Sequence, residues 1–547
     1  PQRPVTVQID FDDIHRRIVS VPGVPVRQYS RLRAGLAGTV FYLEAGAGAG
    51  GGGSTLQRYR LSDRRAAAFV NNAADYDVSA DGRKLLYRSG GGGGGRGGRG
   101  GGGAAGGGPA LFVVDADRNP PQANAGRLDA QLRMYLEPKE EFKQIFKEGW
   151  RNQRDYLYVP NLHGANWTKM EEMYGQMLPH VMHRADLNYL LDNMGAEIAI
   201  GHSYVRGGAM PDVPAAGGGG LLGADFAIEG GRYKITRIYD NESWNPELRA
   251  PLHMPGVDIA VGDFVLAING EELRAPDNIH RLLDGTANRQ TVLTVNNKPV
   301  LDGARRATVI PLANEQALRT RAWVEHNRRL VDQLSNGQLA YVYLPNTGQG
   351  GYASFNRYYF AQQDKIGVVV DERFNGGGSA ADYIIDVLQR DFDGYFNNVA
   401  GDRYPFTSPS AGIWGPKVMI INEMAGSGGD LMPYMFRSRK IGPLVGKRTW
   451  GGLVHTADTP GFIDGGSMIA PRGGFFTRDG KWAVENEGVG PDVDVENWPK
   501  DVIAGKDAQL ERAVEEAMKL LKAHPVDRLK TEPPPPTWGV RRGGGGG

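Results

Sequence analysis

The chain has 547 residues, 40% of them apolar, which is enough for several cores and for roughly three to five domains. Its 63 basic and 62 acidic residues leave a net charge of +1, so nothing electrostatic points to nucleic acid or a membrane surface as partner. There is no cysteine, which excludes disulfides, thiol nucleophiles and cysteine-ligated metals, and no apolar run approaches the roughly 20 residues of a membrane span.

The opening "PQRPVTVQIDFDDI" reads as a strand rather than a signal peptide. Short β-type runs follow: "GTVFYL", "LQRYRL" and "KLLYRS", the last fed by an Asp-Gly turn in "DVSADGRKLLYRS". This is the look of about two β-propeller blades, and closure needs four or more, so the remainder is expected upstream of residue 1. Within the region, "RSGGGGGGRGGRGGGGAAGGG" cannot bury a core and reads as a flexible loop. With two arginines and no aromatics it is a poor RNA-binding tract.

From 123 to 208 the pattern turns helical. Phe142, Ile145, Phe146 and Trp150 recur at helical spacing, and "WTKMEEMYGQMLPHVM" and "DLNYLLDNMGAEI" continue it. His163 and His183 have no metal-ligand spacing and read as structural or surface residues. Residues 209–313 pass from a glycine-rich loop, "GGGGLLGADFAI", through "YKITRIYDN" to "VGDFVLAINGEEL", a strand with an Asn-Gly turn. A short helix, "NIHRLLDG", and two strands complete what resembles a PDZ domain. The backbone N–H groups of Gly220, Leu221, Leu222 and Gly223 would then cradle a peptide carboxylate, unless the groove is closed and the domain is only a spacer. Residues 314–530 read as α/β, with strands in "QLAYVYLP", "IGVVVDERF" and "KVMII", two of which run through glycine turns into helices. The tail from 531 to 547 is low in complexity and reads as disordered.

One of those turns, "INEMAGSGGDLMPY", holds Ser427 among three glycines. A lone serine in such a loop is usually structural, but a strand–turn–helix crossing also presents a nucleophile at a sharp bend. It aims the Gly428 N–H at a reacting carbonyl, beside the positive end of the next helix. The turn in "RFNGGGS" sits at the end of a neighbouring strand and can supply a second oxyanion donor. It lacks the Lys-Ser/Thr of a phosphate-binding loop, which counts against a phosphate-binding enzyme. For a base, the expected lysine position in "VGKRTWGG" holds Arg448, which stays protonated, and the adjacent Lys447 points to the opposite face. His202 in "AIGHSYVRGG" is the better candidate, with Glu485 in "WAVENEGVGPDVDV" to orient it and Glu487 two residues on.

Together "GHSYVRGG", the PDZ-like block, "DERFNGGGS", "NEMAGSGGD", "GKRTWGG" and "VENEGVGPDVDVE" resemble the C-terminal half of the tricorn proteases, relatives of the tail-specific C-terminal processing proteases. The resemblance covers about 400 residues and implies a multidomain α/β fold. Its parts are a partial β-propeller remnant (1–122), a helical subdomain carrying the histidine (123–208), a PDZ-like domain (209–313) and a crotonase-like α/β serine peptidase core (314–530). It implies a tetrad with Ser427 as nucleophile, His202 as base and Glu485 as carboxylate, and oxyanion donors at Gly378 and Gly428. Two positions depart from the family pattern. The serine that precedes the family's histidine is Gly201 here, so either Ser203 or a water is expected to link His202 to Glu485, or the relay is weaker. The aspartate that usually follows the nucleophile is Gly428. The acidic group for basic P1 side chains is absent from "GYFNNV", although Asp391 and Asp393 are close, so an apolar or mixed preference is expected.

The expected function is a tricorn-type serine endopeptidase acting on oligopeptides or unfolded chains, with no metal or organic cofactor. A tail-specific processing protease and a catalytically decayed PDZ scaffold are the alternatives. By resemblance the chain is a homo-oligomer, commonly a hexamer, and cytoplasmic, with a periplasmic location as the alternative.

Overall fold

The computed structural model describes residues 10–12, 14, 20–45, 54–89, 110–122, 124–128, 134–210, 218–240, 242, 244–401, 405–526 and 532–536. The glycine-rich loop, most of "VTVQIDF" and most of the tail lie outside these residues. Two compact units form, one ending at Tyr135 and the other beginning at Leu136.

The first unit is a seven-stranded antiparallel meander: β1 (Tyr29–Ala34), β2 (Thr39–Glu44), β3 (Ser54–Arg60), β4 (Arg65–Val78), β5 (Lys84–Ser89), β6 (Leu111–Asp115) and β7 (Arg127–Leu128). Strand β4 serves two groups. Its first half pairs with β3 and its second half with β5, and Asn72, at φ +57°, marks the change. Phe41, Leu56, Phe69 and Leu85 fill one face.

The second unit opens with α1 (Pro138–Tyr156), α2 (Trp167–Gly175) and α3 (Arg184–Ala196). Ile145, Phe146 and Trp150 are buried, as their spacing predicts, and Phe142 packs partly buried against them. The Trp150 and Trp167 indoles donate to each other's backbone carbonyls at 2.8 and 2.9 Å. His163 and His183 are structural. His183 caps α3 by accepting from the Ala185 N–H at 3.0 Å, and His163 bridges Tyr158 and the Ile198 carbonyl. After α3 the chain passes His202 and enters β8 (Val205–Arg206).

The PDZ-like sheet contains β9 (Ala224–Glu229), β10 (Arg232–Ile238), β11 (Phe264–Ile268), β12 (Glu271–Glu272), β13 (Thr291–Asn296) and β14 (Arg305–Val309), with α4 (Ile279–Leu282) beside it. The order β14-β13-β11-β10-β9 leaves β9 on an edge. The predicted Asn269-Gly270 turn has both φ angles positive, as a tight hairpin requires.

The remaining elements are α5 (Gln316–Leu334), β15 (Leu339–Tyr343), α6 (Gln349–Ala361), β16 (Gly367–Asp371), α7 (Ala381–Leu388), β17 (Gly394–Phe396), β18 (Phe406–Ser408), β19 (Lys417–Ile421), α8 (Gly428–Ser438), β20 (Leu444–Gly446), β21 (Ser467–Met468), β22 (Val493–Asp494), α9 (Pro499–Ile503) and α10 (Ala508–Ala523). Strands β15-β16-β19-β20-β22 make a wholly parallel sheet. Its first three strands are buried along their whole length, which is why they read as unbroken apolar runs. Parallel pairing puts every strand's carboxyl end on one edge, where open α/β sheets build sites. The short β21 leaves this core to pair with β8, and Arg184 meets Asp464 in a fully buried ion pair at 2.6 Å. These contacts bring the His202 segment onto the α/β core.

Candidate active site

Four chain crossings meet at the carboxyl edge of the parallel sheet: the loops after β15, β16, β19 and β20. Ser427 lies in the loop after β19, immediately before α8, at φ +58° and ψ −115°. A non-glycine residue rarely adopts this conformation, and strain of this kind marks a side chain forced into a particular place. What holds the bend is Asp430, which is wholly buried. It accepts from the Ser427 N–H at 2.8 Å, the Thr449 hydroxyl at 2.5 Å, and the Gly451 and Gly452 N–H groups at 2.8 and 3.1 Å. Burial pushes its carboxyl up, and the four donors oppose that shift.

The "DERFNGGGS" loop packs directly against the serine. A Cβ on Gly377 would stand 2.6 Å from Ser427 Cβ and 3.1 Å from its Oγ. A Cβ on Gly428 would meet Gly378 O at 2.4 Å and Gly378 N at 2.9 Å, so the two expected oxyanion residues lie face to face. The Asn375 side chain fixes the loop by accepting from the Gly377 N–H at 2.9 Å. The first half of the motif is a brace: Arg373 is buried between Asp371 at 2.7 Å and Asp507 at 2.8 Å. Glu372 is also wholly buried, and burial beside Asp430 drives its carboxyl well above the usual range.

His202 is buried, with its ring centroid 5.5 Å from Trp450 and 5.9 Å from Tyr204. Burial lowers its pKa below the usual 6.5, Glu485 pulls it back up, and the nearby His455 adds to the lowering. No hydrogen bond joins His202 to Ser427, and among the described residues nothing bonds to its buried Nδ1. Trp450 closes the gap between the two segments. Its indole stands where a Cβ on Gly201 or Gly426 would go, at 3.0 and 2.6 Å, so it lies between the neighbours of His202 and of Ser427.

Glu485 stands between residues at positive φ, Val484 at +76° and Asn486 at +60°. One of its oxygens accepts from the Gly201 N–H at 3.1 Å and the other from Leu453 and Val454 at 2.6 and 2.8 Å. It therefore reaches His202 through its field and through the backbone, without a direct bond.

Two sequence expectations need correction, and a third holds. Ser203 does not link His202 to Glu485: the chain turns at Gly201 and His202, and the Ser203 hydroxyl beyond the turn accepts from Gln153 Nε2 at 3.0 Å, beside Gly195. In the PDZ-like cradle, Gly220 and Leu221 donate to Leu283 and Leu312, both at 2.8 Å, and Gly223 donates to the Glu315 carboxylate at 2.8 Å. Of the four expected N–H groups only that of Leu222 is left without such a partner among the described residues: two are taken by backbone carbonyls and one by Glu315, the residue before α5. Lys447 is held by Asp494 at 2.9 Å and Glu496 at 3.3 Å, which agrees with its rejection as base. Trp450 and Asp430 lie within the motifs above, but spacing assigns them no role, since their positions follow from a fold-back that spacing does not reveal. Among the described residues no group of three or more His, Asp or Glu side chains is placed to hold a metal, and no helix is long and apolar enough to cross a membrane.

Comparison with known proteins bears on the domains and the fold. Residues 138–196 match the Tricorn protease C1 domain, residues 220–314 the Tricorn protease PDZ domain and residues 338–495 Peptidase family S41. Tricorn protease homolog 1 of Streptomyces coelicolor is 32% identical over 545 residues, covering 96% of this chain and 48% of the relative. Tricorn protease of Thermoplasma volcanium is 29% identical over 477 residues, covering 87% of this chain and 44% of the relative. The crystal structure of the tricorn protease superposes with a TM-score of 0.78 at 26% identity, over 90% of this chain and 46% of that one. The chain spans about half the length of the curated relatives it matches, and by its domains, their order and its fold it belongs to the tricorn protease family.

Proposed function

We propose that this chain carries the catalytic half of a serine peptidase that hydrolyses peptide bonds in oligopeptides or unfolded polypeptides. The observation that carries the reading is the strained Ser427, held at the N-terminus of α8 with its side chain against the glycine loop of a neighbouring strand. Ser427 Oγ attacks the scissile carbonyl while His202 takes its proton. The N–H groups of Gly428 and Gly378 receive the developing oxyanion. His202 then passes the proton to the leaving amine, and a water, activated by the same imidazole, releases the acyl group and restores the serine.

Glu485 favours the imidazolium that forms between these steps, and Trp450 shields it from bulk water. The departure at Gly201 is accommodated by the indole, which fills the space beside that glycine. The paired Lys447 argues against a lysine-based, tail-specific mechanism. By family resemblance the working form is a homo-oligomer, a hexamer, in the cytoplasm.

The test is labelling with a serine-directed fluorophosphonate and location of the adduct by peptide mass spectrometry. A single adduct on Ser427, lost in Ser427→Ala and strongly reduced in His202→Ala, is expected. Folded, assembled protein that takes no label would refute the proposal and favour a peptide-binding scaffold.

A further inference from the structure

We propose that the hydroxyl of Thr347 is a third donor to the oxyanion, supplied by the loop after β15. This rests on the peptidase reading above and adds to it a residue that no motif contains. Thr347 is wholly inaccessible to solvent, yet among the described residues its Oγ1 has no hydrogen-bond partner. A buried hydroxyl without a partner is uncommon, and its occurrence at a reactive centre calls for an explanation in the chemistry performed there.

The location supplies one. Thr347 is woven into the glycine loop: its N–H donates to Gly377 O at 3.0 Å, and its carbonyl accepts from the Ala380 N–H at 2.5 Å. A Cβ placed on Gly378 would lie 2.4 Å from the Thr347 carbonyl carbon. On the other side, a Cβ placed on Gly428 would lie 2.0 Å from Thr347 Oγ1 and 2.9 Å from Gly378 N. The hydroxyl and the Gly378 N–H therefore border one small volume beside Gly428, with the Gly378 carbonyl oxygen 2.4 Å from the same point. Three of the four parallel strands whose loops meet at the site then contribute to it: β15 through Thr347, β16 through Gly378 and β19 through Ser427 and Gly428.

The same contact accounts for Gly428 in a family that usually has aspartate there. Any side chain at 428 would collide with the Thr347 hydroxyl, so the aspartate and the inward-facing threonine exclude each other. In the resting enzyme the hydroxyl has nothing to donate to. When the carbonyl becomes tetrahedral, the oxyanion is the acceptor. A donor that is satisfied only in the transition state raises kcat and leaves substrate binding nearly unchanged.

The experiment compares wild type with Thr347→Val, Thr347→Ala and Thr347→Ser in the full chain. Readouts are kcat and KM on a fluorogenic peptide, the labelling rate of Ser427 by fluorophosphonate, and affinity for a peptide aldehyde, which binds as a tetrahedral adduct. Loss of the hydroxyl in Val and Ala is expected to lower kcat roughly 10- to 100-fold with KM within about twofold, and to weaken the aldehyde by a similar factor. Thr347→Ser is expected to restore both. Alanine serves as the second variant because valine puts a methyl against Gly428. Folding is checked by the thermal transition of each variant. If folded Val and Ala variants match wild type in kcat and aldehyde affinity, the inference is overturned while the peptidase reading stands. A wild-type Ser427 that takes no label overturns both.

Discussion

Replacing Asp430 with asparagine should loosen the nucleophile and the loop over the base in one step, because a single carboxylate holds both. Its two oxygens each accept two bonds: Oδ1 from Thr449 and Gly451, Oδ2 from Ser427 and Gly452. Whichever way the introduced amide turns, its NH2 group faces two donors, so two of the four bonds are lost. Bonds to a charged acceptor contribute roughly 1.5–3 kcal/mol each, or about 3–6 kcal/mol for two. Removing a buried charge returns part of this, since burial already disfavours the ionised carboxyl. The net local cost is about 3 kcal/mol, far above the ~0.5 kcal/mol of an ordinary surface substitution.

A chain of several domains does not unfold in one step, so a global midpoint is the wrong measure. Hydrogen exchange resolved to peptides is the better one. A cost of about 3 kcal/mol corresponds to roughly 100-fold faster exchange at the amides of 427, 451 and 452. Fluorophosphonate labelling of Ser427 should slow at the same time, while exchange in the PDZ-like domain is unchanged. Unaltered exchange at 451–452 together with unaltered labelling would refute the claim that Asp430 couples the two loops.

Glu372→Gln tests the neighbouring buried acid. A carboxyl whose pKa is raised on folding holds its proton in the native state after the unfolded chain has lost it. Its contribution to stability is therefore greatest below about pH 4 and falls as pH rises through the raised native pKa. The glutamine variant should flatten that fall and be at least as stable as wild type at neutral pH, as read by denaturation at a series of pH values. A variant curve that parallels wild type would count against a protonated Glu372. His202 has the opposite sign. Its lowered pKa keeps the imidazole neutral to lower pH, so the acid limb of kcat/KM should bend below 6.5. A limb at or above 6.5 would mean that another group controls activity. In the PDZ-like domain, Glu315→Ala should free the Gly223 N–H. Fluorescence anisotropy should then detect binding of a peptide ending in valine with a free carboxylate, but not of its C-terminal amide. Equal binding by wild type and variant would show that Glu315 is no obstacle.

The site was legible in the sequence wherever a motif coincides with a strand end. "AGSGG" and "NGGGS" follow buried apolar runs, and parallel pairing brings such runs to one edge, so Ser427, Gly428 and Gly378 meet as expected. His202 and Glu485 were chosen on chemistry, a base that titrates near neutrality and a carboxylate to orient it, and the structure brings the Glu485 carboxylate to the Gly201 N–H. The errors share one cause. The chain turns at Gly201 and His202, and local patterning does not show that Ser203 leaves this turn toward Gln153. Glu315 closes the PDZ-like cradle from the head of α5, at a sequence distance from Gly223 that local patterning cannot bridge. Thr347 ends an ordinary strand in "YLPNTG", and only the third dimension places its hydroxyl against Gly428.

The pairing of β8 with β21 has a consequence in time. His202 lies before the PDZ-like domain, Ser427 after it, and Glu485 later still. A ribosome has made His202 and all of the peptide-cradle domain before any nucleophile exists, and the loop that carries Glu485 emerges only after the whole parallel sheet but its last strand. On the proposed mechanism the nascent chain therefore lacks a complete catalytic set until its peptidase core is nearly finished.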